Sequence, residues 1–230
     1  MPMSEALRDK LNASNALAHA GEVAHWTLLL LGWLWLGEQA LGPAHAGPPP
    51  RPVAATPSTN DTPPAGTALE RQLKRWLGAP QLMGQGTLRY FGFSIYQAQL
   101  WVGQRPPEAG VSWAQQPVVL SLQYQRDFKG EDIAQRSLEE MRRHPLMPEG
   151  AAAAWLAQLQ TLLSDVREGE RLIGVYHPTQ GLQMWHEGTE LRALGATPDT
   201  LLARVFMGIW LDPSTSAPEL RQRLLGLNRP

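Results

Sequence analysis

The stretch that decides the fold is Gly84-Gln-Gly-Thr-Leu-Arg-Tyr-Phe-Gly-Phe-Ser-Ile-Tyr-Gln-Ala-Gln-Leu-Trp-Val102. Its aromatic and β-branched side chains, entered through a glycine pair, predict two adjoining strands at about 86–92 and 94–102. The same apolar segment contains an arginine, Arg89, and a tyrosine, Tyr96. Burying an arginine among apolar neighbours costs free energy unless an anion pairs with it. The segment is therefore either a strained core or the wall of a ligand site.

The spacing of the apolar residues changes several times along the rest of the chain. The alternation at 118–124 predicts a strand with one buried face, whereas the stripe at 69–77 predicts an amphipathic helix. Further elements are predicted as helices at about 131–144, 149–164, 200–210 and 217–225, and as strands at 171–176, 182–185 and 189–193. Runs of strands broken by runs of helices predict an α+β fold, with an antiparallel sheet packed against a layer of helices on one face.

The N-terminal part is predicted to be an export signal. The apolar run WTLLLLGWLWL at 26–36 has the length of a signal-peptide core and is too short to span a bilayer comfortably, and 44–46 (AHA) has the A-x-A cleavage pattern. The alternative for this run is a core helix or an uncleaved anchor. The chain thus divides into a signal-peptide region at 1–46, a Pro-rich disordered linker at 47–66 and a folded domain at 67–230. We expect a periplasmic or secreted protein with no stable membrane span after cleavage.

Composition and spacing exclude several classes of function. The chain has no cysteine, so disulfides, thiolate nucleophiles and cysteine-ligated metals are excluded. Its six histidines have no metal-binding spacing, and its net charge of -1 gives no electrostatic reason to expect nucleic acid or an anionic membrane as partner. The pair Gly84-x-Gly86 precedes a strand and not a helix, which predicts a backbone bend or bulge and no phosphate site. We expect no metal and no cofactor.

Four segments together carry a resemblance to a known family. They are Phe93-Ser-Ile-Tyr-Gln-Ala-Gln-Leu-Trp101, Leu120-Ser-Leu-Gln-Tyr-Gln-Arg-Asp127, Glu139-Glu-Met141 and Phe206-Met-Gly-Ile-Trp-Leu-Asp212. In order and spacing the chain resembles the chalcone isomerase-like superfamily, in particular its bacterial exported branch, over about residues 80–226. The resemblance implies an open-faced sandwich with a ligand cleft between sheet and helices. Members of this superfamily include plant enzymes that cyclise chalcones and related proteins that bind fatty acids.

The resemblance also implies roles for individual residues. Arg89 stands for the arginine that the plant enzymes use in the early strand, and Tyr96 stands about where they have a threonine. Near the first long helix those enzymes use a tyrosine and an asparagine, where this chain has Lys129 and Arg136. Three of the four family residues are therefore replaced, which argues against cyclase chemistry.

The resulting hypothesis is an exported protein that binds a small amphiphilic carboxylate, such as a fatty acid, without catalysis. Arg89 and Tyr96 would hold the head group, and Trp101, Phe206 and Trp210 would line a cavity for the tail. The first alternative is an isomerase or intramolecular lyase acting on a chalcone-like or unsaturated substrate, and the second is an interaction module of the cell envelope.

Two local alternatives concern charged residues. Arg89 could instead lie on the exposed face of its strand and pair with a surface acid. Glu139 and Glu140 are interpreted as a solvated helix face, because adjacent positions on a helix do not point the same way. The sequence predicts no oligomeric state.

Overall fold

The structure is a computed structural model that describes residues 67–103 and 112–227. The predicted signal-peptide region at 1–46 and the linker at 47–66 lie outside the described residues, as does most of the Pro/Gly-rich loop that follows Val102. Those expectations stay predictions.

The described part of the chain forms one antiparallel sheet of six strands whose spatial order follows the sequence. The strands are β1 Gln81–Tyr90, β2 Phe93–Val102, β3 Val118–Tyr124, β4 Arg171–His177, β5 Gly181–Glu187 and β6 Leu191–Thr197. The helices are α1 Ala68–Leu77, α2 Gly130–Met141, α3 Ala152–Leu162, α4 Thr200–Leu211 and α5 Pro218–Leu224. The predicted α+β class with an antiparallel sheet is confirmed; β1 and β6 differ most from their predicted bounds.

The main core lies between one face of the sheet, called here the inner face, and the helices α2 to α5. Successive side chains of a strand point to opposite faces, so alternate residues of each strand enter this core. On the inner face the fully or nearly fully buried strand residues include Ala98, Leu100, Leu120, Leu122, Leu172 and Met184. The expectation that this strand has one buried face is wrong, because β3 is buried on both faces; Val119, which interrupts the apolar alternation, faces away from this core.

The opposite, outer face of the sheet carries a second and smaller apolar cluster. Leu69 and Leu73 of α1 pack there with Val119 and Ile173, and Trp76 stacks edge to face on Trp185 with ring centroids 5.2 Å apart. The expectation that all helices lie on one face is therefore wrong for α1. Its apolar stripe was correctly predicted, but a stripe does not specify which face of a sheet it covers.

Helix α4 is the most deeply buried helix of the inner layer. Eight of its twelve residues are buried, so it is apolar on nearly every side. It begins at Asp199, whose carboxylate accepts the backbone N–H groups of Leu201 and Leu202. Near its end Gly208 lies against the ring of His144, which bonds to Asp212 with 3.1 Å between Nε2 and Oδ2. This contact brings the C-terminal end of α2 close to α4.

The glycine pair Gly84-x-Gly86 gives α5 a place to pack. A register shift between Leu82 and Gly84 confirms the predicted bulge at the start of the first strand. A β-carbon on Gly84 would collide with the backbone oxygens of Arg223 and Leu224, and one on Gly86 would lie 2.8 Å from Leu220. Because Gly84 and Gly86 have no side chains, α5 can pack closely against β1.

We expect Gly84→Ala to lower the free energy of unfolding by about 1–3 kcal/mol, because the collision is with backbone that cannot rotate away. Urea unfolding measures the change. Gln81→Ala, at an exposed position of the same strand, is the matched control and should change stability by less than about 0.5 kcal/mol. Equal stability of Gly84→Ala and the unaltered protein would contradict the close contact.

Candidate ligand site between the sheet and the helices

A small cavity lies between the inner face of the sheet and the helices α2 and α4. Its volume is about 30 Å³ and its walls are almost entirely apolar. The residues that line it are Leu120, Leu122, Tyr124, Ile133, Ser137, Leu163, Leu172, Gly174, Met184, Phe206, Met207 and Trp210. The hydroxyl of Ser137 donates to the carbonyl of Ile133 within the helix, so it offers no free donor to the cavity.

The size of this cavity limits what it holds in the present conformation. A volume of about 30 Å³ admits roughly two water molecules, whereas pockets for small organic ligands measure roughly 300–1,000 Å³. A fatty-acid tail therefore fits only if the walls move. The lining includes Met184 and Met207, whose unbranched side chains adapt more readily than branched ones.

Tyr96 lies on β2 and does not line the cavity itself, but it contacts two residues that do. It is paired directly with Tyr124 of β3, and the two rings contact each other at 5.7 Å between centroids. The indole Nε1–H of Trp210 donates to the hydroxyl oxygen of Tyr96 at 2.9 Å. Tyr96 is thus held by two residues that line the cavity, one from the sheet and one from α4.

The environment of Tyr96 keeps its phenol protonated. Burial raises the pKa of Tyr96 well above its ordinary value; the hydrogen bond from Trp210 lowers it in part, and the charge of Glu140 raises it further. The hydroxyl oxygen accepts from Trp210, but no described residue accepts the proton of the hydroxyl. Tyr96 therefore presents one unused hydrogen-bond donor in an apolar setting.

A charged cluster on α2 lies close enough to Tyr96 to act on it electrostatically. Glu140 has a side chain only 8% exposed, and it lies between Arg136, to which it is hydrogen-bonded, and Arg143, whose Nε is 3.6 Å from Glu140 Oε2. Arg136 also pairs with Glu139 at 3.0 Å. Positions three and four residues apart share one side of a helix, which explains why these charges meet. Arg136 and Glu140 both act electrostatically on Tyr96.

Glu140 was not identified by sequence reasoning. The interpretation of Glu139 and Glu140 as a solvated face is wrong for Glu140, which is buried. A buried carboxylate needs a cationic partner, and the spacing of Arg136 four residues earlier was the available signal.

The structure does not place Arg89 in the interior. Leu88 faces Tyr96 across the β1–β2 pair and packs against the core, and a register shift follows between Leu88 and Arg89. The side chain of Arg89 is exposed. The expectation that its guanidinium faces inward beside Tyr96 is therefore wrong; the alternative, an exposed strand position, agrees with the structure.

The three apolar candidates fall on both sides of the sheet. Phe206 and Trp210 line the cavity and contact each other at 5.4 Å between ring centroids. Trp101 packs in the outer cluster with α1. The expectation that Trp101 lines the same cavity is wrong, because it is five residues from Tyr96 on a strand of alternating faces. Whether Phe206 and Trp210 contact a ligand stays a prediction.

Of the two residues expected near the first long helix, only Arg136 approaches Tyr96. Lys129 precedes α2, where its Nζ pairs with Asp165 at 2.7 Å. The second oxygen of Asp165 accepts the N–H of Gly130 at 2.9 Å. Lys129 and Asp165 thus belong to the start of the helix and not to the cavity.

A further cationic side chain, Arg204, lies near the N-terminal end of α4, away from Trp210. Arg204 precedes Trp210 by six residues, about 9 Å along a helix, and it acts electrostatically on Tyr176. Its Nε is buried and has no hydrogen-bond partner among the described residues. Sequence reasoning passed over Arg204, although it is the one charged residue in an otherwise apolar helix.

The described residues show neither a metal-binding cluster nor a membrane-spanning helix. Within 67–103 and 112–227, histidine and acidic side chains form no group of three that could hold a metal ion. No helix in these ranges is both long and apolar enough to cross a bilayer.

The hydrogen bond from Trp210 to Tyr96 can be measured by a double-mutant cycle. Tyr96→Phe removes the acceptor and leaves the indole N–H of Trp210 buried without a partner, so we expect a loss of roughly 1 kcal/mol in unfolding free energy. In the Tyr96→Phe background, Trp210→Phe should lower the free energy of unfolding by less than it does in the unaltered protein. Urea unfolding should give a coupling energy of about 1 kcal/mol between the two substitutions. Strict additivity of the two changes would contradict the bond.

Comparisons with known proteins identify the family of this chain. A curated protein of Haemophilus influenzae, itself uncharacterized, is 25% identical over 112 residues, which are 49% of this chain; the match spans about half, 53%, of that protein's length. A crystal structure of an Arabidopsis thaliana fatty-acid binding protein aligns with a TM-score of 0.46 and 14% identity, covering 64% of this chain and 87% of the other. The family model described as chalcone isomerase-like matches residues 65–226, so the chain belongs to the chalcone isomerase-like family.

Proposed function

We propose that this domain binds a small amphiphilic carboxylate, such as a fatty acid, with its head group at Tyr96 and its tail between the sheet and α4. One observation carries the proposal: the hydroxyl of the half-buried Tyr96 has a proton to donate and no acceptor among the described residues, and Tyr96 contacts Tyr124 and Trp210, which line an apolar cavity. An unsatisfied donor in such a place is costly unless a ligand supplies the acceptor.

The hydroxyl of Tyr96 and the nearby cation Arg136 support an anionic head group, whereas the charge of Glu140 opposes one. A carboxylate that accepts the hydroxyl proton forms a charge-assisted hydrogen bond, which is stronger than a neutral one. The raised pKa of Tyr96 keeps that proton on the phenol. Arg136 is half exposed, with 44% of its side chain accessible, so it can turn toward a ligand while Arg143 remains beside Glu140.

The tail has to create most of its own space. Each methylene group removed from water contributes roughly 0.8 kcal/mol, so a tail of about ten methylenes supplies roughly 8 kcal/mol toward separating α4 from the sheet. The adaptable side chains of Met184 and Met207, together with Phe206 and Trp210, line the space that would widen. Binding of this kind is expected to be accompanied by a change in helix packing.

We expect isothermal titration with a medium-chain fatty acid to show 1:1 binding that Tyr96→Phe weakens about tenfold, since one hydrogen bond to a charged group is lost. Arg89→Ala is the matched control and should leave the affinity unchanged, because that side chain is exposed. Arg204→Gln tests whether the head group lies at the other end of α4, and it should also leave the affinity unchanged.

Three results would contradict the proposal. They are the absence of any bound acid in native mass spectrometry of the purified protein, an affinity insensitive to Tyr96→Phe, and a loss on Arg204→Gln alone. Decay of chalcone absorbance faster than the uncatalysed rate would favour the isomerase alternative and overturn the non-catalytic part.

We also propose that the protein is exported to the periplasm or secreted. The proposal is supported by the apolar run at 26–36 and the A-x-A pattern at 44–46. Expressed with its full chain in a Gram-negative host, the protein should be recovered from the periplasm with Gly47 as its first residue. N-terminal sequencing of the recovered protein measures this; full-length protein in the cytoplasmic fraction would contradict it.

A further inference from the structure

The hairpin that joins β1 to β2 ends in an exposed aromatic tip, defined here as residues Tyr90 to Phe93. Tyr90 pairs with Phe93, so Phe91 and Gly92 form a two-residue turn. Both turn residues have positive φ, 48° for Phe91 and 83° for Gly92. This is the geometry of the tight hairpin turn in which Asn-Gly is strongly preferred.

Phe91 is an unfavourable residue for this position. Bulky residues rarely adopt a left-handed backbone, and Phe91 is the only non-glycine residue with positive φ in the described part of the chain. Its side chain is 72% exposed and gains little packing beyond an edge contact with the Tyr90 ring, 4.6 Å between centroids. The fold thus maintains a strained and exposed aromatic side chain, which points to a use outside the domain's own packing.

The tip has a second exposed aromatic side chain, and two arginines adjoin it, Arg126 in space and Arg89 in sequence. Phe93 is 61% exposed, and the guanidinium of Arg126 lies 5.3 Å from the centre of its ring. Arg89 is also exposed, and neither arginine forms an ion pair within the residues that the structure describes. The nearest acid in sequence, Asp127, accepts the backbone N–H of Glu168.

The small area of the tip argues against a stable protein partner. Two phenylalanine side chains exposed to this extent offer roughly 250 Å², well below the roughly 800 Å² that each partner contributes to a standard protein interface. A bilayer surface has no such requirement, because aromatic side chains enter the interface individually and arginines meet its phosphate groups.

We propose that the aromatic tip docks the domain on the surface of an anionic lipid bilayer, with Phe91 and Phe93 entering the interface and Arg89 and Arg126 contacting lipid phosphates. The net charge of the whole chain is near zero, but Arg126 lies beside the Phe93 ring and the exposed Arg89 directly precedes the tip in sequence. Tyr96 follows Phe93 by three residues on the same strand, so the docked tip would bring that end of the sheet toward the lipid. The proposal does not depend on the proposed function.

The test compares full-length variants in co-sedimentation with vesicles of phosphatidylglycerol and phosphatidylcholine. Phe91→Asn suits the turn better and should raise the Tm while weakening vesicle binding at least about tenfold. Leu146→Asn, an exposed apolar position on another segment with 44% accessibility, is the matched control and should bind as the unaltered protein does. Arg89→Gln and Arg126→Gln should weaken binding to anionic vesicles and leave binding to pure phosphatidylcholine unchanged.

A label at the tip separates its contribution from that of the apolar run at 26–36. The chain has no cysteine, so Phe91→Cys carries a single polarity-sensitive fluorophore. Its emission should shift to the blue on anionic vesicles, whereas the same label at Leu146→Cys should not shift. The proposal is overturned if Phe91→Asn binds vesicles as the unaltered protein does. It is also overturned if the emission of the label at Phe91→Cys shifts neither on anionic vesicles nor on pure phosphatidylcholine vesicles. Self-association that Phe91→Asn abolishes, without a shift on vesicles, would assign the tip to a protein contact and overturn it as well.

Discussion

The packing of α4 on the inner face of the sheet is the constraint on which the rest of the structure depends. Two-thirds of this helix is buried, and its apolar side chains fill the space above the central strands. The same packing leaves the small cavity and carries the indole of Trp210 to the hydroxyl of Tyr96. On the proposed function, a ligand that enters between the layers must compete with this packing, so ligand binding and the stability of the domain would be coupled.

Partial or full burial determines the pairing of Glu140 and the protonation of Tyr96. Glu140 is tolerated in the interior because Arg136 and Arg143 flank it. Tyr96 remains neutral because burial disfavours the phenolate. Its oxygen is satisfied by Trp210, while its proton is left for an acceptor that the described residues do not supply. The chemistry available is that of a donor to an anion in an apolar space.

Sequence reasoning succeeded where a side chain's neighbours are close along the chain and failed where they are distant. The apolar composition around Tyr96 predicted a strand there, which is confirmed, and the apolar stripe of α4 correctly included Phe206 as an interior residue. Arg89 was assigned inward because its neighbours in sequence are apolar, yet a register shift after Leu88 and an exposed turn decide its direction. Trp101 was assigned to the cavity because it is a large apolar residue of β2. It lies an odd number of residues from Tyr96, so its side chain points to the opposite face of the sheet and packs under α1.

The sequence by itself determined the α+β class, the antiparallel sheet, the order of the elements and the chalcone isomerase-like family, because period and turn chemistry are local properties and the family motifs keep their spacing. The tertiary structure alone decided which face each side chain enters, that α1 covers the outer face, and that Tyr96, Trp210 and the Arg136–Glu140 pair meet. These outcomes depend on strand register and on helix–sheet contacts between residues more than a hundred positions apart, as with Tyr96 and Trp210. No pattern within a short window of sequence encodes such distances.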